Sequence, residues 1–207
     1  MGEYNRYITG SAVAEGGGMT VLQEAGIRSS KNNETAVILM LVFAERGDRQ
    51  WELSRAVGEW FQNSLVPMIK KEGTQSLINV CIEGIGRRDF NEQINKCEYA
   101  CVIVAGDSCA LFANGDEPGM YTVEELLGKT VMIPMKAGSD GIMVELEEGG
   151  AIVITDKKLD SDDFYTKELA AGMSAVYDEK ALERLLGEVV NIKEAGCRAI
   201  AGIRVMD

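Results

Sequence analysis

The sequence predicts an α+β fold in which helices cover antiparallel sheets, and three observations carry that expectation. Short apolar runs of strand length follow one another in the middle of the chain, separated by turn-like segments. Helical patterns come in consecutive groups before and after those runs, instead of alternating singly with strands as a doubly wound parallel sheet requires. The chain then closes on Arg198 to Met206, RAIAGIRVM, which alternates like a strand.

Taken in order, Glu15-Gly16-Gly17-Gly18 is the most flexible stretch and separates a first strand or hairpin from a second. Ala36 to Phe43, AVILMLVF, is a continuous apolar run, β-branched enough for a strand covered on both faces. Leu53, Ala56, Val57, Trp60, Phe61 and Leu65 recur at spacings of three and four, which predicts a helix ending before Pro67. Leu77, Ile78, Cys81, Ile82 and Ile85 predict a second helix, and a shorter third starts at Asp89. Tyr99 to Ala105 and Cys109 to Ala113 flank Gly106-Asp107-Ser108 as a tight hairpin. Val131 to Met135, Ile142 to Leu146 and Ala151 to Thr155 are three more strands. One helix, capped by Ser161, runs toward Ala175; another, capped by Asp178, carries Leu182, Leu185, Leu186, Val189 and Val190 on one stripe.

Composition narrows the chemistry. The 207 residues fit one domain spanning 1–207, with 46% hydrophobic residues for its core. Net charge is −12, a field that repels a polyphosphate backbone, so no nucleic-acid partner is expected. Histidine is absent, which excludes Ser-His-Asp and Cys-His catalysis and any histidine base. Carboxylates, thiols, hydroxyls, Arg, Lys or an oxygen-held metal must carry any chemistry. No apolar stretch reaches 18 residues and the first ten lack a charged-then-apolar leader, so no membrane partner is expected. Five cysteines without a Cys-x-x-Cys pair read as reduced thiols serving as small hydrophobes, which leads to the expectation of a cytoplasmic protein. Gly128-Lys129-Thr130 has the ending of a phosphate-binding loop, but the glycine needed five residues earlier is Val123, and Glu124 to Leu127 reads as a helical turn.

Four segments carry a more specific signal by their order. They are Gly26 to Thr35 (GIRSSKNNET), Val42 to Asp48 (VFAERGD), Ala105 to Phe112 (AGDSCALF) and Gly150 to Asp160 (GAIVITDKKLD). They resemble the Gly-x-Arg-x-x-Asn-Glu-Asp, Phe-Asp-Gly-x-Gly-Gly, Gly-Asp-Ser-Arg and Ser/Thr-Asp-Gly-x-x-Asp segments of the metal-dependent protein phosphatase (protein phosphatase 2C) family. The likeness spans about Thr20 to Val205. It implies a four-layer α-β-β-α sandwich of two antiparallel sheets flanked by helix pairs. It also implies two divalent cations held by aspartates, activating a bridging water against a phosphoserine or phosphothreonine ester. Mg²⁺ and Mn²⁺ take carboxylate and water ligands, so that chemistry is compatible with a chain lacking histidine. Asn114-Gly115-Asp116 offers a competing register for the Gly-Asp-Ser-Arg hairpin.

Carried over residue by residue, the family's ligands are mostly missing. Thr35 stands where the first segment has its Asp, after Glu34; the phosphate-binding Arg falls at Ser30, with Arg28 two positions away. Ala44 replaces the bridging Asp and Glu45 the glycine after it; Gly196-Cys197-Arg198 supplies no carboxylate where the family has Asp-Asn. Asp156 alone survives of the principal ligands. Asp107, Asp156 and Asp160 match positions that hold an additional, weaker metal in the family, and the bland reading makes them a hairpin tie and caps of the helix after Ser161. Glu45, Asp48 and Glu34 are the candidate substitute ligands, and Lys157 or Lys158 could supply the missing positive charge beside Asp156. The expectation is therefore a domain that has lost hydrolytic activity and serves as a regulatory or binding module. It would bind at most one Mg²⁺ or Mn²⁺, and its partner would be a protein, with a phosphoprotein the class implied. Two alternatives stand: an active, divergent Mg²⁺/Mn²⁺-dependent serine/threonine phosphatase, and an unrelated structural or assembly protein.

Overall fold

The computed structural model describes residues 6–28, 34–44, 49–160 and 163–206, with Glu34, Asp89 and Asn91 described by backbone alone. Three strands come first, β1 (Tyr7–Val13), β2 (Met19–Arg28) and β3 (Glu34–Phe43). Helices α1 (Gln50–Trp60), α2 (Val66–Glu72), α3 (Leu77–Gly86) and α4 (Arg88–Asn91) follow. Six strands come next: β4 (Tyr99–Ala105), β5 (Ser108–Asn114), β6 (Gly119–Leu126), β7 (Lys129–Pro134), β8 (Ile142–Glu145) and β9 (Ala151–Thr155). Then come α5 (Phe164–Ala175), α6 (Glu179–Val190) and β10 (Ala199–Val205).

Strand periodicity explains the layering. Along β3, Val37, Leu39, Leu41 and Phe43 face a core shared with α1 to α4, while Ile38, Met40 and Val42 face the other sheet. Both faces are covered, which is why the run is apolar throughout. The strands form two five-stranded antiparallel sheets, ordered β1-β10-β9-β6-β7 and β2-β3-β4-β5-β8. Between them lies one apolar layer with Val102, Leu111, Ile152, Ile154, Ala201 and Ile203; α5 and α6 cover the outer face of the first sheet through Leu169, Met173, Leu182 and Leu186. This is the α-β-β-α sandwich expected from the sequence. Among the described residues no helix is long and apolar enough to cross a membrane.

Several local expectations need correction. The first helix does not stop before Pro67. Residues Phe61–Leu65 widen into a π turn in which Val66 donates to the Phe61 carbonyl, and the helix carries on through the proline, whose missing N–H falls at that irregular junction. Glu124 to Leu127 is no helical turn: β6 extends to Leu126 and pairs with β7 in register Leu126↔Lys129. The Glu15 to Gly18 stretch does separate a first strand, β1, from a second, β2, and the two join different sheets. The N-cap of α5 is Asp163, and Ser161 lies outside the described residues. Asp178 does cap α6, accepting the Ala181 N–H at 2.7 Å.

All five thiols are buried, and no pair is bridged. Burial pushes Cys109 up to about 12 and raises Cys81, Cys101 and Cys197 further above the ordinary 9.0. The folded state thus holds these protons more tightly than the unfolded chain. Their contribution to stability is full below the unfolded pKa and is lost as pH rises past it, by up to about 1.4 kcal/mol per thiol per pH unit. Urea unfolding midpoints should be level near neutral pH and fall steeply above about pH 9. A level profile across that range would contradict this burial.

Candidate metal centre

Antiparallel pairing decides which loops can meet. Met19 at the start of β2 lies opposite Phe43 at the end of β3, Phe43 opposite Tyr99, and Tyr99 opposite Asn114. In the other sheet, Thr155 at the end of β9 lies opposite Ile200 and Gly119. One end of the sandwich therefore collects Gly17-Gly18, Ala44, Asp116-Glu117, Asp156 to Asp160, and Gly196 to Arg198.

Asp156 sits at the centre of this end and is only 4% exposed. Its Oδ1 accepts the Arg198 N–H at 2.9 Å, and its own N–H donates to the Ala199 carbonyl at 3.0 Å. The fully buried Cys197 thiol lies against it, and burial first and the Asp156 carboxylate second push that thiol up. Gly18 lies on its other side: a Cβ built there falls 1.9 Å from the Phe43 carbonyl oxygen and 3.4 Å from the Asp156 Cβ. Lys157 and Lys158 are exposed, and neither pairs with Asp156 among the described residues, so neither takes the place of a cation there.

The segment after Asp156 is tied at every step. Thr155 Oγ1 donates to the Lys157 carbonyl at 2.8 Å, and Lys158 N–H donates to the Glu117 carbonyl at 2.8 Å. The Tyr121 hydroxyl accepts the Leu159 N–H at 2.5 Å, and Thr166 donates to the Asp160 carbonyl at 2.7 Å. Asp160 is thereby fixed on the rim, exposed, its backbone held by α5. Tyr165 donates to Asp163 nearby, which raises its phenol to about 12.

Other candidates lie at the opposite end. Arg28 pairs with Glu34 in the β2–β3 register, nine strand positions from Phe43, or about 30 Å. The Gly106-Asp107 turn belongs there too: a Cβ at Gly106 would meet Thr35 Cγ2 at 3.3 Å, and Asp107 is exposed and pairs with Arg6. Arg28, Glu34 and Asp107 are thus separated from Asp156 by the length of the sheet. The misplacement has a simple cause. Reading Gly26 to Thr35 as the segment before the long strand ignored β2, which reverses direction first. The competing Asn114-Gly115-Asp116 register is the one that reaches Asp156, since the Glu117 carbonyl holds Lys158. Glu45 and Asp48 lie outside the described residues.

Among the described residues, the donor set does not fit two shared cations. Gly17, Gly18, Ala44, Gly196, Cys197 and Arg198 border Asp156, and Asp116, Glu117 and Asp160 share this end without forming a cluster with it. One Asp156 oxygen is already committed to a backbone N–H. Among the described residues, no three Asp, Glu or Cys side chains stand close enough together to hold a metal ion. Gly17 and Gly18 are the site residues that sequence reading passed over, and Asp116 is one it left as an alternative. The glycines were read only as a flexible spacer.

At the level of sequence, no family model and no curated protein matches the chain. Solved structures do match in fold. A point mutant of a bacterial serine phosphatase aligns over 100% of both chains with a TM-score of 0.60 at 11% identity. The catalytic domain of the serine/threonine phosphatase PstP, solved with two manganese ions, aligns over 97% of this chain and 100% of its own with a TM-score of 0.54 at 12% identity. The PP2C domain with a regulatory fragment of SpoIIE from Bacillus subtilis gives 0.53 at 12% identity; the match covers 97% of this chain but 63% of that longer one. Every strand pair among the described residues is antiparallel, and both helix layers are present, so the chain has the fold of the PP2C-type phosphatase domains.

Proposed function

We propose that this chain is a divergent PP2C-fold domain that has lost phosphoester hydrolysis and works as a regulatory or binding module. The observation that carries this reading is the state of Asp156. It is buried and bonded to the Arg198 backbone, with Gly18 and Cys197 against it, and Ala44 at the end of β3 stands where the family resemblance puts the bridging acid. A PP2C-type reaction needs two cations to lower the pKa of the attacking water and to offset charge on the phosphoryl oxygens. A single carboxylate engaged by backbone supplies neither site. The scaffold, by contrast, is complete, with both sheets and both helix layers formed. The partner class is a protein, and a phosphoprotein suits a fold whose relatives are phosphatases. The proposed compartment is the cytoplasm, where five unbridged buried thiols stay reduced.

Assay of the purified chain against p-nitrophenyl phosphate and a phosphoserine peptide, with Mn²⁺ in excess, should show no turnover above buffer. Turnover that disappears on Asp156→Ala would overturn the reading in favour of an active enzyme that draws its missing ligands from Glu45 or Asp48.

A further inference from the structure

The β6–β7 pairing ends in register Leu126↔Lys129, which leaves Leu127-Gly128 as a two-residue turn. Both turn residues have positive φ, 54° and 73°, the arrangement of a type I′ turn. Such a turn favours Asn, Asp or Gly at its first position, and a bulky side chain there is an outlier. Among the described residues, Leu127 is the one residue other than glycine with positive φ. Its side chain gains no contact from that position: it is 104% exposed, and Leu126 beside it is 49% exposed.

A strained backbone and a fully exposed leucine both cost stability, and no packing within the chain offsets either. An outlier of this kind points to function. The tip is nonetheless held rigidly. β6 pairs with β9 from Gly119 to Val123, and Thr130 Oγ1 donates to Ser174 Oγ at 3.4 Å, tying the hairpin to the end of α5. Tyr177, just beyond α5, is 75% exposed at the same end of the sandwich. The surroundings are acidic. Glu124 and Glu125 precede the tip, and with Glu145, Glu147 and Glu148 they line an adjoining cleft of about 740 Å³, all five exposed.

We propose that the Leu126-Leu127 tip is a docking knob for a protein partner whose surface offers an apolar socket edged by Lys or Arg. Leu127 fills the socket, and the glutamates steer and align the basic rim. A turn already fixed in its bound shape loses little freedom on insertion. The same acids disfavour the other occupants. An anionic lipid surface repels them. A second copy brings a like-charged face, and neither its polar cleft nor the void of about 20 Å³ at Gly106 suits a leucine. Leu126 is seven strand positions from Gly119, which lies opposite Thr155, or about 24 Å. The knob therefore stands whether or not the Asp156 end hydrolyses phosphoesters.

Leu127→Asn suits the turn and removes the apolar group, so it should raise the melting temperature of the full chain by about 2–4 °C. A fall would mean that Leu127 serves the fold, and would overturn the proposal. A photo-crosslinking amino acid in place of Leu127, carried by the full chain in living cells, should give one discrete adduct with another protein. That protein, purified, is then titrated with the native chain and with Leu127→Asn, which should bind at least tenfold more weakly. Glu124→Gln combined with Glu125→Gln should slow association at low salt and change it little at high salt. The proposal fails on no discrete adduct, on an adduct between two copies of the chain, or on equal affinity of the native chain and Leu127→Asn. It fails equally if the native chain binds vesicles of phosphatidylcholine and phosphatidylglycerol and Leu127→Asn does not.

Discussion

Gly18→Ala should abolish stable folding or lower stability by about 3 kcal/mol or more, the largest effect expected of any single methyl group in this chain. A Cβ at this position falls 1.9 Å from the Phe43 carbonyl oxygen, a backbone atom fixed in the β2–β3 pairing. No side-chain rotation can relieve that contact, so a strand end would have to move. Gly17 is almost as crowded, with its built Cβ 2.6 Å from the Arg198 carbonyl oxygen. An aspartate could therefore not be restored here without first moving β3. The measurement is a chemical denaturation curve, or soluble yield where the variant does not fold. A Gly18→Ala protein as stable as the parent would show that the backbone beside Asp156 is looser than described.

Asp156→Ala should also be destabilising, by about 2–3 kcal/mol, which for a chain of this size lowers the melting temperature by roughly 5–10 °C. The substitution leaves the Arg198 N–H buried without its acceptor and opens space against Cys197. Asp156→Asn keeps an oxygen for that N–H and should lose less. The sign is informative. A carboxylate crowded with others to hold metals is strained when the metals are absent, and removing it stabilises the apo protein. A carboxylate serving as a clasp between β9 and β10 does the reverse. A rise in melting temperature in Asp156→Ala would mean that Asp156 remains a ligand in waiting.

Much of the architecture was legible because burial on both faces leaves a strong mark. Runs such as AVILMLVF of β3 and YACVIVA of β4 have few other uses. β6 was missed because Glu124, Glu125 and Leu126 at its exposed end break the apolar pattern and suggest a helix. The helix through Pro67 was missed because a π turn is a local geometry with no compositional signal. At the site, Asp156 was found from its motif, but the sequence grouped Arg28, Glu34 and Asp107 with it and the structure holds them at the other end of the sheet, since motif order does not say which end of a strand a residue occupies. That depends on how many times the chain reverses first. The counting turns on β2, a strand whose partly exposed TVLQEAGIR carries only a weak pattern. Gly17 and Gly18 were legible as glycines but not as contacts, because the carbonyls that exclude a Cβ belong to Phe43 and Arg198, far away in sequence.

The most direct test of the central claim is a calorimetric titration of the native chain with Mn²⁺, run beside Asp156→Asn. With no second and third acid grouped with Asp156 among the described residues, the heats should follow simple dilution in both proteins. A saturable isotherm with two ions per chain, absent from Asp156→Asn, would contradict the account and point to Glu45 or Asp48 as the ligands that complete the centre.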